Sequence, residues 1–385
     1  MGHNPGVRRF LGVLSLAALL SCAPGGPRHE GIPIGFYGSL TGATATFGQS
    51  GKNGSTLAFD EINARGGVLG EKIALHAEDD RGEPAEAASA VSKLISRDHV
   101  VGLLGEAASS RTLAAAPIAQ KSEIPMITPS STNPQVTRVG TYVFRVCFTD
   151  DFQGDVLARF AAEDLRARTA LLLIDNRSDY SVGLAQAFRR GFEKRGGRVL
   201  GEQRYAEGDT DFSAQLTQMR TTPADVLFAP GYYTDIGLIA RQKKALGVPG
   251  TLLGGDGWDS PRLIEIGGEA LEGAYFGNHY SPQDPDAAVQ RFVSAYRKRF
   301  GAVPDSVGAL AYDAAGLLAD AIRRAGSTAG PRVREALAST HAYPGVTGAL
   351  TFDLERNPVK PIAILAVRGG KYAFVRRIAP EEKAR

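Results

Sequence analysis

The sequence has little cysteine and lacks the short motifs of covalent and cofactor-dependent catalysis. Cys22 and Cys147 are the only two cysteines in 385 residues, which excludes a disulfide scaffold and a zinc site built on cysteines. None of the six histidines has HxxxH or HExxH spacing. A GxSxG elbow, a GxxxxGK(S/T) phosphate loop and a GxGxxG motif after the first predicted strand are also missing. We therefore expect neither an enzyme nor a bound cofactor.

The chain also lacks a strong excess of charge of either sign. Its 44 Lys+Arg oppose 41 Asp+Glu, for a formal net charge of +3. This balance argues against a nucleic-acid partner, because phosphate binding needs clustered basic residues. Hydrophobic residues make up 43% of the chain, which is typical of a globular protein, and the length suggests about two domains.

The N-terminus has the layout of a secretory signal. Two arginines precede an apolar run over residues 10–20, which is too short to span a bilayer as a mature helix. Leu-Leu-Ser-Cys, ending at Cys22, resembles a bacterial lipobox, in which the cysteine is acylated. We expect residues 1–21 to be a lipoprotein signal peptide, Cys22 the lipid anchor and residues 22–30 a tether. An ordinary signal peptide with an incidental cysteine is the competing interpretation.

Beyond the tether, short apolar strands alternate with helical segments. A strand over residues 32–37 precedes a helix over 48–64, and the same order resumes at the apolar strand 170–174. Repeated strand–helix–strand order predicts parallel sheets covered by helices. Two such runs predict two doubly wound α/β lobes, with a ligand site at the strand ends where the lobes face each other.

Small hydroxyl residues follow two strands of the first run. Ser109 or Ser110 is placed to cap a helix, and Ser130 to Thr132 follow the next strand. Free N–H groups at a helix start bind anions such as a carboxylate. Simple capping and turn formation are the competing interpretation.

The second run places an acid and tyrosines after its apolar strands. Tyr180, Tyr232 and the Gly-flanked Asp256 follow three different strands. Tyrosine offers a flat apolar face with a polar tip, and an acid can reach a ligand cation. Carboxylate-binding groups in one lobe and an ammonium partner in the other suit a zwitterion. The adjacent acids Asp79-Asp80 and Asp150-Asp151 are instead expected at the surface or in caps.

At these residues the sequence resembles the periplasmic leucine/isoleucine/valine-binding proteins of branched-chain amino-acid ABC transporters. The resemblance covers about residues 31–380. Its markers, in order, are GSLTG at 38–42, EINARGGVLG at 61–70, ITPSSTNP at 127–134, FR at 144–145, GDGW at 255–258 and AYDA at 311–314.

The resemblance implies the type I periplasmic binding fold, with two lobes joined by three hinge crossings that close like a clamp. The crossings are expected near residues 146–150, 276–279 and 348–352. Residues 31–147 and 277–347 would then form lobe 1, and residues 148–276 and 348–380 lobe 2.

The resemblance also implies the ligand contacts. Ser109 matches the serine that binds the α-carboxylate, and Asp256 matches the acid that pairs with the ammonium. The remaining matched positions are Ser130, whose carbonyl takes the ammonium, its neighbour Thr132, and the tyrosines Tyr180 and Tyr232.

The chain departs from the best-known member of the family in and beside the side-chain pocket. The two cysteine positions of the family disulfide match Gly82 and Ala108 here, so this chain lacks that disulfide. Phe47 stands where the family has a tyrosine, and another pocket aromatic falls near Val307. We expect Ala108, Phe47 and Trp258 to contribute to the pocket, although core packing is the competing interpretation for Trp258.

The resemblance implies a lipid-anchored, monomeric solute-binding protein in the periplasm or cell envelope. It would deliver an L-amino acid, branched-chain or otherwise aliphatic, to ABC permease subunits, with the lipid anchor as its sole membrane contact. Two alternatives stay open. The same clamp could bind an amide, urea, a short peptide or an aromatic carboxylate, or it could serve as an extracellular ligand sensor.

Overall fold

The computed structural model describes residues 1–3 and 31–379. The predicted acylated Cys22 and tether lie outside the described residues, as does the predicted signal peptide apart from its first three residues. In the described part of the chain, no helix has the length and apolar character needed to cross a membrane.

Fourteen strands and twelve α-helices are formed by the described residues. The strands are β1 Ile32–Gly38, β2 Ile73–Asp79, β3 Gly102–Leu104, β4 Met126–Thr128, β5 Val143–Arg145, β6 Thr169–Asp175, β7 Arg198–Tyr205, β8 Val226–Phe228, β9 Thr251–Gly254, β10 Tyr275–Asn278, β11 Tyr343–Gly345, β12 Gly348–Leu350, β13 Ile362–Arg368 and β14 Lys371–Ile378. The helices are α1 Ala45–Ala64, α2 Pro84–Ser96, α3 Ser109–Lys121, α4 Gln135–Arg138, α5 Asp150–Glu163, α6 Asp179–Lys194, α7 Ser213–Arg220, α8 Tyr233–Ala245, α9 Pro261–Gly267, α10 Ala287–Phe300, α11 Ser306–Ala325 and α12 Gly330–Ala338.

Two sheets form the centres of two lobes, which confirms the predicted α/β class. The first sheet has the order β2-β1-β3-β4-β5, and all its strands are parallel. The second has the order β14-β13-β10-β9-β8-β6-β7, in which β13 runs antiparallel to both neighbours. The central strands are short and almost entirely buried, as expected for strands covered by helices on both faces.

The third crossing lies later in the chain than the predicted position at 348–352. The strand β12 pairs with β11, and Leu350 is buried in the core of the first lobe. Phe352 packs on Phe144 of the first sheet, with ring centroids 5.5 Å apart. These apolar contacts keep the segment in the first lobe, so the chain passes to the second lobe between Phe352 and β13. The whole of β10, including residues 277–278, also belongs to the second sheet.

The helix α5 is absent from the sequence-based prediction. It begins after Thr149, whose hydroxyl accepts a hydrogen bond from the backbone N–H of Phe152. A threonine followed by two acids is a strong helix-start signal, since acids near the N-terminus complement the helix dipole. This helix carries Gln153 toward the gap between the lobes.

In each of the adjacent pairs Asp79-Asp80 and Asp150-Asp151, one acid is buried. Asp80 and Asp150 are both fully buried, whereas Asp79 is half-buried and Asp151 exposed. The expected surface position is therefore wrong for Asp80 and Asp150, although Asp80 Oδ1 does accept the backbone N–H of Gly82 in the following turn, at 2.9 Å. Asp79 does accept backbone N–H groups of a turn, from Leu40 among others.

Candidate functional site

Loops and the N-terminal turns of helices from both lobes line one small cavity. Its empty volume, including space open to solvent, is about 240 Å³. We call it the inner cavity, and it is lined by Phe47, Ala107, Ser130, Tyr180, Tyr232, Asp256, Gly257 and Val307. Because both lobes contribute to its walls, a molecule in this cavity would contact both of them.

The structure brings five of the nine predicted ligand contacts together at the inner cavity. These are Phe47, Ser130, Tyr180, Tyr232 and Asp256. Ala108 lies instead on a larger adjoining cavity of about 740 Å³, the outer cavity, which is also lined by Arg111, Ser178 and Glu207. Tyr232 lines both and so separates them.

Ser109 and Thr132 are buried beside the cavity, outside its lining. The Ser109 hydroxyl accepts a hydrogen bond from the backbone N–H of Asn133, at 3.1 Å. The Thr132 hydroxyl is buried without a hydrogen-bond partner in the described part of the chain. The Ser109 hydroxyl therefore organises the loop after β4, whereas the Thr132 hydroxyl lies near the buried Asp150: burial raises the pKa of that carboxyl well above its usual value, and Thr132 opposes the rise. Their roles as ligand contacts remain predictions.

Asp256 is held by two side chains that were not among the predicted site residues. Gln153 donates through Nε2 to Asp256 Oδ1 at 2.8 Å, and its Oε1 accepts the Asp256 backbone N–H at 3.0 Å. His279 Nε2 lies 2.9 Å from Asp256 Oδ2. Across the gap, Ser130 Oγ lies 3.4 Å from the same oxygen. The carboxylate is thus fixed in orientation at the cavity wall.

Aromatic rings form the apolar walls. Tyr180 and Tyr232 stack with centroids 5.4 Å apart and planes 18° apart. Phe47, from the first lobe, meets Tyr232 edge-on at 6.1 Å and Tyr233 at 4.9 Å. Burial raises the pKa of Tyr180 and of Tyr232 well above its usual value, so both hydroxyls stay protonated. The rings therefore add apolar surface and neutral hydroxyls to the cavity.

Trp258 belongs to the core and not to the pocket. Its side chain is fully buried, and its indole N–H donates to the carbonyl of Ala229 at 3.1 Å. The ring packs near Phe276 and so closely over Gly254 that a Cβ there would lie 2.0 Å from it. The predicted contribution of Trp258 to the pocket is therefore wrong. A partner for the indole N–H and a glycine to accommodate the ring explain its place in the core.

A buried acidic cluster supports the loop between β3 and α3. Ser39 Oγ lies 2.9 Å from Asp80 Oδ1 and 3.0 Å from Glu106 Oε1. Glu106 also accepts the backbone N–H groups of Ser39 and Ala108. Hydroxyl residues of this loop were predicted to have a role, but Glu106 was not, although a lone acid in an apolar strand-to-helix junction is an unusual feature.

Hydrogen bonds join the two lobes around the cavities. Tyr233 OH accepts the backbone N–H of Thr46 at 3.1 Å. The Asp179 backbone N–H donates to Ser110 Oγ at 2.9 Å, and its carbonyl accepts from Asn133 Nδ2 at 2.8 Å. Each bond links a residue of the first lobe to one of the second. The structure therefore has the lobes in contact over the inner cavity.

The chemistry available at this site is that of binding. The walls combine apolar surface, hydroxyl groups and a single fixed carboxylate. Among the described residues, no group of three or more His, Cys, Asp or Glu side chains is arranged to hold a metal ion. The arrangement suits a small ligand that has a cationic group and an apolar part.

Comparison with known proteins places this geometry in a family. Residues 31–371 match the sequence profile of the family described as periplasmic binding protein. The Leu/Ile/Val-binding protein BraC3 of Rhizobium johnstonii is 32% identical over 342 residues, which cover 88% of this chain and 91% of that protein.

Two solved structures have a similar fold. The leucine binding protein LivK of Thermotoga maritima has a TM-score of 0.88 and 38% identity, covering 91% of this chain and 100% of that one. LivJ of Streptococcus pneumoniae, a branched-chain amino acid transporter substrate binding protein in complex with isoleucine, has a TM-score of 0.86 and 34% identity, with the same coverage. The predicted resemblance and the predicted fold class are both confirmed.

Proposed function

This chain belongs to the periplasmic binding protein family, and on that premise we propose that it is the extracytoplasmic solute-binding component of an ABC importer. Its ligand is an L-amino acid with a branched-chain or other aliphatic side chain. The observation that carries the proposal is the position of Asp256, a carboxylate fixed at the wall of a small cavity shared by two lobes.

The cavity supports a zwitterion with an apolar side chain. Asp256 offers a negative charge to an ammonium group, and charge-assisted hydrogen bonds of this kind are about twice as strong as neutral ones. The first lobe offers hydroxyls at Ser130 and Thr132 and the N-terminal N–H groups of α3. Phe47 and Val307 provide apolar surface for an aliphatic side chain.

The protein works by a shift in the population of open and closed lobes. A ligand that contacts both lobes stabilises the closed arrangement by the free energy of those contacts. The names of BraC3, LivK and LivJ support this function, since each names leucine or branched-chain amino acids. The permease subunits would then recognise the closed, loaded form.

Calorimetric titration of the purified protein with each of the twenty amino acids tests the proposal. The protein is first freed of co-purified ligand by partial unfolding and refolding. We expect tight binding of one or more aliphatic L-amino acids and much weaker binding of their D-enantiomers, because the three groups on the α-carbon meet fixed partners. Binding of none of the twenty would contradict the proposal.

The proposal includes attachment to the membrane through Cys22. It is supported by the Leu-Leu-Ser-Cys sequence after an apolar run. Labelled palmitate should be incorporated into the wild-type protein and into Cys147→Ala, in which the buried second cysteine is lost. A Cys22→Ala variant should incorporate none and should leave the membrane fraction. Labelling of Cys22→Ala would contradict the anchor.

A further inference from the structure

The imidazole of His279 contacts the carboxylate on which ligand recognition depends. His279 follows β10, and Asp256 follows β9, its neighbour in the second sheet. Because neighbouring parallel strands end at the same edge of a sheet, the two side chains meet although 23 residues separate them. The ring is fully buried and stacks on Phe148 with centroids 3.8 Å apart, so it has little freedom to turn.

The hydrogen bonds of the ring indicate which nitrogen carries the proton. Nε2 faces Asp256 Oδ2 at 2.9 Å, and a carboxylate oxygen can only accept, so Nε2 carries the hydrogen. Nδ1 is buried and, within residues 31–379, has no hydrogen-bond partner. A second proton there would be a buried donor without an acceptor, which is costly. Burial also lowers the pKa of His279, against the opposing effect of the Asp256 hydrogen bond.

A neutral imidazole leaves the charge of Asp256 uncompensated. An imidazolium at 2.9 Å would neutralise the carboxylate and remove its preference for a cation. A neutral N–H donor fixes the orientation of the carboxylate and keeps the full negative charge. Gln153, which holds the other oxygen at 2.8 Å, is likewise an uncharged donor. The carboxylate is thus held by neutral donors on both oxygens, since Ser130 Oγ, 3.4 Å from Oδ2, is uncharged as well.

We propose that His279 is a positioning residue for ligand recognition: it aims Asp256 at the inner cavity as a charged receptor for a primary ammonium group. The inference rests on the proposed function and names the ligand group that Asp256 recognises. Neutral amides, urea and simple carboxylic acids lack the cation that this arrangement favours. Amino acids and other small primary amines carry it.

A double-mutant cycle between His279 and Asp256 tests the inference. The probe is L-leucine, or the tightest-binding amino acid of the calorimetric screen, titrated into wild type, His279→Leu, Asp256→Asn and the double variant. We expect His279→Leu to weaken binding by about 10-fold to 100-fold, the range for one hydrogen bond to a charged group. The double variant should bind about as well as Asp256→Asn alone, because His279 acts through the charge of Asp256.

Two further variants separate positioning from packing. His279→Gln retains an N–H donor and should recover most of the lost affinity. Tyr280→Phe removes a buried hydroxyl from the same segment, one that donates to the Pro304 carbonyl, without touching Asp256. It should lower the thermal unfolding temperature and leave the affinity within about 3-fold of wild type, since it removes one hydrogen bond remote from the ligand.

Three results would overturn the inference. The first is an unchanged affinity in His279→Leu. The second is a double variant whose loss of affinity equals the product of the losses in His279→Leu and Asp256→Asn. Either would leave the proposed function standing, because wild-type binding is measured in the same experiment. A wild-type protein that binds no amino acid would overturn both.

Discussion

Arg111 in α3 and Glu207 after β7 form an ion pair between the two lobes, with Nη2 2.6 Å from Oε1. The rest of the guanidinium is held within the first lobe, where Nε donates to the Gly82 carbonyl at 2.7 Å and Nη1 to Thr44 Oγ1 at 3.0 Å. It also lies over the ring of Tyr232, 5.9 Å from the centroid. Arg111 is therefore fixed in one lobe and binds two residues of the other, contacts that separation of the lobes would break.

Removing the Glu207 charge should speed ligand release. In Glu207→Gln the closed form retains a buried arginine without its ion pair, whereas opening exposes that arginine to water. We expect the dissociation rate to rise about 5-fold to 30-fold, equivalent to about 1–2 kcal/mol for a partly buried pair, with little change in the association rate. Stopped-flow fluorescence or surface plasmon resonance measures both rates.

Glu202→Gln is the matched control for this variant. Glu202 lies in β7, just before the Glu207 loop, and pairs with Arg189 and Arg204 of its own lobe. It should leave the dissociation rate unchanged within about 2-fold, since exposed pairs within one lobe contribute little. Equal rates in Glu207→Gln and wild type would show that the Arg111 contact does not hold the lobes together.

Neutralising Asp256 should abolish most of the affinity for amino acids. Asp256→Asn keeps the shape of the side chain, and its Oδ1 can still accept from Gln153 or His279. The loss of charge alone should weaken calorimetric binding by about 100-fold, near the upper end for a hydrogen bond to an ion. The thermal unfolding temperature of the free variant reports whether the fold survives. An affinity equal to wild type would remove Asp256 from ligand recognition.

The lobes were predictable because local signals agree with the fold. Apolar strands such as β6 and helix stops at glycine can be recognised from a few residues. The lobe boundary after β12 could not be predicted in this way, because it depends on whether Leu350 and Phe352 pack against the core of the first lobe or that of the second. The contact of Phe352 with Phe144, for example, joins residues more than two hundred positions apart, and no local pattern contains it.

Site residues could be predicted where the residue type and its position at the end of a strand were enough to indicate a role. Asp256 and Tyr232 fall at strand ends, and the family resemblance matches them to ligand contacts. Gln153 and His279 were missed because their role comes from meeting Asp256, and that meeting depends on the order of strands in the second sheet. Trp258 shows the converse error, since sequence proximity to Asp256 suggested the pocket while its ring points into the core.

Shortening Phe47 should change which side chains fit. Its ring lines the inner cavity and meets Tyr232 and Tyr233 across the lobes. In Phe47→Leu we expect the affinity for L-phenylalanine relative to L-leucine to rise by about 10-fold, because the removed carbons leave room for a larger ligand. Calorimetry with both amino acids gives the ratio. Phe59→Leu, the same change on the buried core face of α1, should lower stability and leave the ratio unchanged.

Stability should fall as pH rises, because several carboxyls have raised pKa values in the folded protein. Burial, reinforced by the charge of Glu106, raises the pKa of Asp80 to about 7. Burial similarly raises the pKa of Asp175 to about 6, of Asp305 to about 7 and of Asp235 to about 8. In the unfolded chain these groups release their protons near pH 4. Between these values unfolding releases protons, so raising the pH favours the unfolded state.

Asp80→Asn should flatten this pH dependence. Each such carboxyl can change the free energy of unfolding by up to about 1.4 kcal/mol per pH unit. Removing one should therefore measurably reduce the stability that the protein loses between pH 5 and 7. Urea unfolding followed by the emission of the buried Trp258 at pH 5, 6, 7 and 8 measures the slope.

Asp79→Asn is the control: burial raises the pKa of Asp79, but hydrogen bonds from Thr41 and nearby backbone N–H groups outweigh it and lower the pKa below its usual value. The contribution of the Asp79 carboxylate to stability is lost only in more acidic solution. The unfolding free energy of Asp79→Asn should therefore change with pH above pH 5 as it does in wild type. An Asp80→Asn slope equal to that of wild type would show that Asp80 is ionised in the folded protein.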